Sequence, residues 1–226
     1  MQIIAVSQSE DREAWLEGRR GVITGTKANK VAPPKRGSGI PQGIYELLAE
    51  TVAVSKDGEP ERDRGLRLEN EGLELTAKKY KLNLNLDPGM WLSDDGKLGV
   101  SPDASEDSKK PTYAAENKSL DTKNHLQAIL NDWIAKKTPG YNPLNSLKIA
   151  TSDFTAQVIQ YFMINLDLET LYFGLYDDRV ALDNCVHYVI EIKREHVAEF
   201  IDSQELYERD ALAKVNQMIE ILKEIK

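Results

Sequence analysis

The sequence predicts a mixed α/β (α+β) protein, a central mixed β-sheet flanked by helices. Three observations carry that reading. Apolar residues recur at helical spacing through residues 64–80, 123–135, 153–164 and 194–226. Short runs rich in leucine, valine, isoleucine and aromatics at 82–86, 171–176 and 186–192 have the length of strands. No internal repeat or composition break divides the chain, so residues 1–226 are expected to form a single domain.

Composition narrows the class. The chain has 226 residues, 41% hydrophobic and 29% charged. Its mean hydropathy of −0.48 is ordinary for a soluble globular protein with a substantial core. No apolar run approaches the roughly 18–20 residues that span a bilayer, so no membrane role is expected. Residues 1–10 lack a basic segment and meet acids at once, unlike a secretory leader. Cys185 is the only cysteine, which rules out an internal disulfide and suggests a reducing, cytoplasmic setting with a packed thiol. A net charge of −8 argues against coating nucleic acid by bulk attraction. It leaves room for an enzyme that handles a polyanion in a local basic channel. Part of the negative charge would then be metal ligands.

Taken in order, residues 8–17 read as a helix with Ser9 as N-cap and Trp15 and Leu16 as apolar contacts. Residues 18–26 follow as Gly-Arg-Arg-Gly-Val-Ile-Thr-Gly-Thr. Arg19 and Thr26, ahead of a helix start, make either an anion pocket or a surface turn of solvated arginines. Residues 31–43 hold too much proline and glycine for a helix; with Lys35 and Arg36 they form a basic flap or an ordinary linker. An amphipathic helix resumes over 44–54, and a charged turn covers 55–62. Residues 64–80 are a strong helix, with Leu66, Leu73 and Ala77 near one stripe and Leu68 and Leu75 beside it. Glu69 sits early in that helix, where the dipole favours an acid. It is either a site residue or a solvated glutamate.

The alternation Leu-Asn-Leu-Asn-Leu over 82–86 reads as a strand. Residues 91–93 and 97–101 flank the Asp94-Asp95-Gly96 turn as a hairpin. After Pro102-Asp103, a polar turn brings the chain back as a strand over 112–119. The helix over 123–135 is broken by Pro139, Gly140 and Pro143 in a basic, aromatic stretch. The helix over 153–164 places Gln157 and Tyr161 on one face. Strands over 171–176 and 186–192 flank a turn at 177–179. A last helix over 194–226 packs a face of Val197, Phe200, Ile201, Leu212, Val215, Met218, Ile219 and Leu222 on the body. His125, His187 and His196 share no ligand spacing and read as structural or surface residues.

The chemistry gathers in one stretch. Asp103 ends one strand, and Glu116 and Lys118 lie two apart in the next, so they share a face. Two hard oxygen ligands beside an ammonium suit metal-assisted phosphodiester hydrolysis. By itself such a trio also arises by chance in a chain this rich in charge.

The order of pieces is more specific. Trp15, Arg19, Gly21, Thr24 and Thr26 come first, then Gly65 and Glu69, then Ser101-Pro102-Asp103. Glu116-Asn117-Lys118, Ala156-Gln157, Tyr172-Phe173, Tyr176 and Arg179 follow. This succession, over about 15–192, resembles the phage lambda exonuclease family (the YqaJ-like viral recombination nucleases) of the PD-(D/E)xK superfamily. The resemblance implies a restriction-endonuclease-like catalytic core over about 15–192, with the helix over about 194–226 outside the match. It implies a Mg²⁺-dependent exonuclease, Mn²⁺ able to substitute, that degrades one strand of linear double-stranded DNA 5′→3′. The enzyme would start from 5′-phosphorylated ends and leave 3′ overhangs for phage-type homologous recombination. Asp103, Glu116 and the backbone carbonyl of Asn117 would hold the metal. Lys118 would position or activate the attacking water, and Glu69 would complete the acidic cluster. Arg19, Thr26, Ser101 and Gln157 would grip the 5′-phosphate. A ring-shaped homotrimer lined by loops such as Lys35-Arg36, a single-strand annealing partner and a phage- or prophage-encoded origin are implied as well.

Two features depart from the family. It carries two glutamines two residues apart in the late helix, whereas this chain has Gln157 and Gln160. Aligning back from Tyr172 puts Val158 at the first position instead. The spacing of Gln157 and Tyr161 does fit a glutamine–tyrosine helix found elsewhere in the superfamily. The other departure is Arg62, which stands near the place of the apolar wedge that parts the duplex. A different endonuclease of the superfamily, or a recombination subunit that binds DNA without catalysis, are the alternatives.

Overall fold

The computed structural model describes residues 44–46, 48–49, 61–149 and 152–224, with side chains described except at 61–66 and 212–223. The helix expected over 8–17, the segment with Arg19 and Thr26, and the loop with Lys35 and Arg36 lie outside the described residues. Residues 44–46 and 48–49 are helical, with Tyr45 and Ala49 buried.

Helix α1 (Glu61–Tyr80) begins three residues before its expected start, so the charged turn expected up to residue 62 is already helix there. Strong helix formers fill it, and Lys78 and Lys79 complement the dipole in the last turn. Lys81 ends it at φ 56°, and the Leu82 N–H donates to the Ala77 carbonyl at 2.9 Å, the bond of a Schellman motif. The buried arc holds Leu68, Gly72, Leu73 and Thr76. It centres on Gly72 and Thr76, which leaves Leu75 at its margin, 36% exposed rather than beside a buried stripe.

The strands then follow as β1 (Leu84–Asn85), β2 (Trp91–Leu92), β3 (Gly99–Val100), β4 (Ala104–Glu106) and β5 (Tyr113–Lys118). Helix α2 (Thr122–Ala135) is capped by Asp121, whose carboxylate accepts the Asn124 N–H. A 3₁₀ turn (Pro143–Leu147), β6 (Lys148–Ile149), β7 (Ser152–Asp153) and α3 (Thr155–Ile164) come next. The chain closes with β8 (Thr170–Tyr176), the one-turn α4 (Asp183–Val186), β9 (His187–Lys193) and the long α5 (Arg194–Glu224).

Among the described residues, five strands form one mixed sheet in the order β1-β4-β5-β8-β9, and only β5 and β8 run parallel. A parallel pair needs a long crossover, and α2 through α3 provides it. The β2–β3 hairpin and the β6–β7 pair are separate two-stranded ladders. This is the mixed sheet flanked by helices that the sequence predicts.

Strand β4 replaces the polar turn expected after Asp103. It lies between β1 and β5, so Ala104 and Ser105 are buried despite carrying no apolar pattern. Three residues are too few to display alternation. The expected strand over 82–86 shrinks to two residues, because β1 is an edge strand and Leu86 is 48% exposed. Strands β6 and β7 and helix α4 are likewise too short to leave a period.

The two faces of the sheet differ. One carries Ala114, Leu171, Phe173, Leu175, Ile190 and Ile192 against Val158, Ile159 and Phe162 of α3, Ala128 of α2 and Val197 of α5. Fully burying a side chain such as Phe173 stabilises by about 1.5–3 kcal/mol. The other face receives α1 through a small cluster of Leu73, Ala104 and Ala115, and through polar contacts. Among the described residues, no helix is long and apolar enough to cross a membrane.

Candidate active site

The alternation of β5 sorts its residues. Glu116 and Lys118 point toward α3, and Asn117 points toward α1. The antiparallel register Ala104↔Ala115 puts Asp103, just before β4, beside Glu116. The Asn117 N–H donates to Asp103 Oδ2 at 2.8 Å, which pins the second acid. Asp103 therefore heads a strand rather than ending the preceding hairpin.

Glu116 is 2% exposed and its carboxylate takes three donors. Lys118 Nζ and Gln157 Nε2 reach Oε1, the amide at 2.8 Å. The Tyr161 hydroxyl reaches Oε2 and also stands 3.0 Å from the Ser101 carbonyl. Gln157 and Tyr161 are one turn apart on α3, so both land on the same carboxylate. Val158, by contrast, is fully buried in the core. Lys118 lies over the Phe154 ring at 5.7 Å, and Phe154 packs on Phe173 at 5.4 Å.

Charge accumulates here. Burial, then the Glu116 charge, push Asp103 up to about 7; the Asn117 N–H and Lys118 oppose the rise, and Glu69 adds to it. Glu69, half-buried on α1, is also raised, chiefly by burial; Lys118 lowers it and Glu116 raises it. Burial and then Glu116 push the Tyr161 hydroxyl far up, so it stays a donor. Among the described residues, three acids thus share one ammonium, a set short of positive charge.

Among the described residues, no group of three or more His, Cys, Asp or Glu side chains is arranged to hold a metal ion. The oxygen donors are the pair Asp103 and Glu116, with Glu69 in electrostatic range. That fits Mg²⁺, which takes one or two carboxylates and keeps several waters.

Of the other residues singled out in the sequence, Ser101 is exposed, with its carbonyl 3.0 Å from the Tyr161 hydroxyl. Arg62 lies in the first turn of α1, but its side chain is outside the described residues, as are Arg19, Thr26, Lys35 and Arg36. A support read from sequence as a turn, with Arg179 among the residues of the resemblance, is Asp177–Arg179. Arg179 grips the fully buried Asp177 carboxylate with Nε at 2.8 Å and a second nitrogen at 3.0 Å, and also donates to the Leu120 carbonyl. Thr122 donates to the same carboxylate at 2.6 Å. This knot ties the end of β8 to the turn after Lys118; the only hint in sequence is an acid two residues before an arginine. Cys185 packs with Leu126 and Val180, and burial raises its thiol.

An acid pair and a lysine thus meet on adjoining strands of a mixed sheet flanked by helices, with a further acid on the helix across it. Solved structures share this fold. The chain is similar to an alkaline exonuclease (LHK-Exo) from Laribacter hongkongensis, with a TM-score of 0.54 and 20% identity over 93% of this chain and 96% of that one. The same enzyme in complex with dAMP gives a TM-score of 0.52 at equal identity and coverage. No family model matches the sequence, and no curated protein matches it. The likeness is one of fold.

Proposed function

We propose that this chain is a metal-dependent exodeoxyribonuclease that degrades one strand of linear double-stranded DNA. The observation that carries the reading is the meeting of Asp103, Glu116 and Lys118, with Glu69 in range, in a fold shared with an alkaline exonuclease. Asp103, Glu116 and the backbone carbonyl of Asn117 would hold Mg²⁺, or Mn²⁺ in its place. Such an ion neutralises phosphate charge and acidifies water.

The chain's own residues divide the rest. Gln157 and Tyr161 hold the Glu116 carboxylate in one orientation. Lys118 is 26% exposed beside a partner that is 2% exposed, so its ammonium bridges the buried acid and the solvent side. There it would orient the attacking water and offset the negative charge that grows on the phosphate. Ser101, with Arg19 and Thr26, would hold a terminal 5′-phosphate and so set a 5′→3′ direction. We extend the reading to a ring of three copies threaded by DNA, with Lys35 and Arg36 toward the channel and Arg62 at the parting strands. Its 3′ overhangs would pass to a single-strand annealing protein in phage-type recombination.

The test is a time course on linear duplexes with 5′-phosphate or 5′-hydroxyl ends and on a covalently closed circle. Phosphorylated ends should be digested faster, the circle should survive, and EDTA should stop the reaction. Lys118→Ala should lower kcat by about 10²–10³-fold. Nicking of the circle would mark an endonuclease, and intact substrates throughout would sink the nuclease reading. Sedimentation as a monomer at micromolar concentration would count against the ring.

A further inference from the structure

Helix α1 carries Glu69 across a sheet face that offers it little apolar surface. What lies beneath it is largely polar. The Thr76 hydroxyl donates to the Gly72 carbonyl at 2.9 Å and stands 2.9 Å from His187 Nε2. One turn toward Glu69 lies the amide of Asn117, 4% exposed. Its Nδ2 donates at 3.2 Å to the carbonyl of Leu68, the residue before Glu69. Among the described residues, its buried Oδ1 has no hydrogen-bond partner.

Two glycines make room for this amide. A Cβ on Gly72 would stand 2.2 Å from Asn117 Oδ1, and a Cβ on Gly174 would stand 2.9 Å from the same atom. Both α1 and β8 therefore give up a side chain so that the amide fits. The backbone N–H of the same residue holds Asp103, and its chain neighbours are Glu116 and Lys118. One residue thus contacts the helix bearing Glu69, fixes the second acid and separates the third from the lysine.

A leucine of nearly the same shape would fill this niche without stranding a buried acceptor. Keeping an asparagine makes physical sense if the Nδ2–Leu68 bond itself is needed. We propose that the Asn117 side chain is a positioning residue, setting the height and register of α1 over β5 and so the place of Glu69 relative to Asp103 and Glu116. The proposal rests on the nuclease reading above. It concerns the side chain, whose role is separate from that of the backbone carbonyl.

The experiment measures Mg²⁺ binding to the full chain by calorimetry without DNA, alongside steady-state cleavage. Asn117→Leu keeps the shape and removes the donor. Gly72→Ala keeps the donor and closes the niche. Thr76→Val loosens the same helix away from the amide. Asn117→Leu and Gly72→Ala should each weaken Mg²⁺ binding about 10-fold or more, as lost supports of metal ligands do. Each should lower kcat and leave KM for DNA unchanged. The double variant should be no worse than the more impaired single, since both act on one contact. Thr76→Val should lower the melting temperature and leave Mg²⁺ affinity unchanged. Wild-type Mg²⁺ affinity and kcat in folded Asn117→Leu would overturn the proposal. Equal weakening in Thr76→Val would overturn it too, because any loosening of α1 would then suffice. Should Asn117→Leu fail to fold, Gly72→Ala carries the same two outcomes. An unaltered chain that neither binds Mg²⁺ nor cleaves DNA overturns the nuclease reading, and this proposal with it.

Discussion

Glu116 is a carboxylate almost out of water, and its two oxygens receive an ammonium, an amide and a phenol. The phenol has one proton and two acceptors in reach. A carboxylate is the stronger acceptor, so the proton belongs to Glu116 and the Ser101 carbonyl is a neighbour. Tyr161→Phe removes that donor and strands a buried oxygen, at a cost of about 1–2 kcal/mol in the placement of the acid. We expect kcat to fall about 10-fold with KM unchanged; steady-state kinetics check it, and a wild-type kcat would show that Gln157 and Lys118 suffice. At this scale the sequence was informative where spacing is chemistry. The two-residue step from Glu116 to Lys118 places both on one face whatever the rest of the fold does. It could not show that Gln157 and Tyr161 meet on Glu116, since that depends on which side of α3 faces β5.

Among elements, the seam between α1 and the sheet carries a titratable group, His187, against Thr76. The Thr76 hydroxyl gives its proton to the Gly72 carbonyl, which leaves its oxygen to accept from His187 Nε2. Burial, the Lys79 charge and His125 hold His187 down to about 4. The unfolded chain takes up a proton near the ordinary value of 6.5, and the folded chain does not until about 4. The stability this neutral ring contributes is therefore complete above 6.5 and is lost as pH falls from 6.5 toward 4. Replacing the residue by His187→Gln should flatten the stability profile across that window by one proton's worth of slope, leaving the profile above pH 7 parallel to that of the parent. Urea unfolding at a series of pH values measures it. Helix α1 was legible because a long periodic segment announces itself, and β8 because it is a short apolar run. Strand β4 was not: its residues Ala-Ser-Glu gain their burial from β1 and β5 on either side.

For the whole molecule, a net charge of −8 includes three acids massed at one site. If Mg²⁺ relieves that repulsion, it binds the folded chain and not the unfolded one. At 100 times its dissociation constant it should then add about 2.7 kcal/mol of stability. For a chain of this size the melting temperature should rise by roughly 5–10 °C. Asp103→Asn, which removes one donor and one of the crowded charges, should abolish most of the rise. Calorimetry with and without the ion decides it, and an unchanged shift in the variant would place the ion elsewhere.

By itself the amino-acid sequence indicated the class of fold and the long elements, which depend on period along the chain. It also put Glu116 and Lys118 on one face through their two-residue step. The choice of Asp103, Glu116 and Lys118 as site candidates came from the resemblance. Tertiary structure alone decided that Asp103 heads a strand, that Gln157 and Tyr161 close on one carboxylate, and that Asn117 lies in a niche cleared by Gly72 and Gly174. Each of these is a meeting of residues from elements distant in sequence. The room and the partners that define them exist only once β5, β8, α1 and α3 have packed.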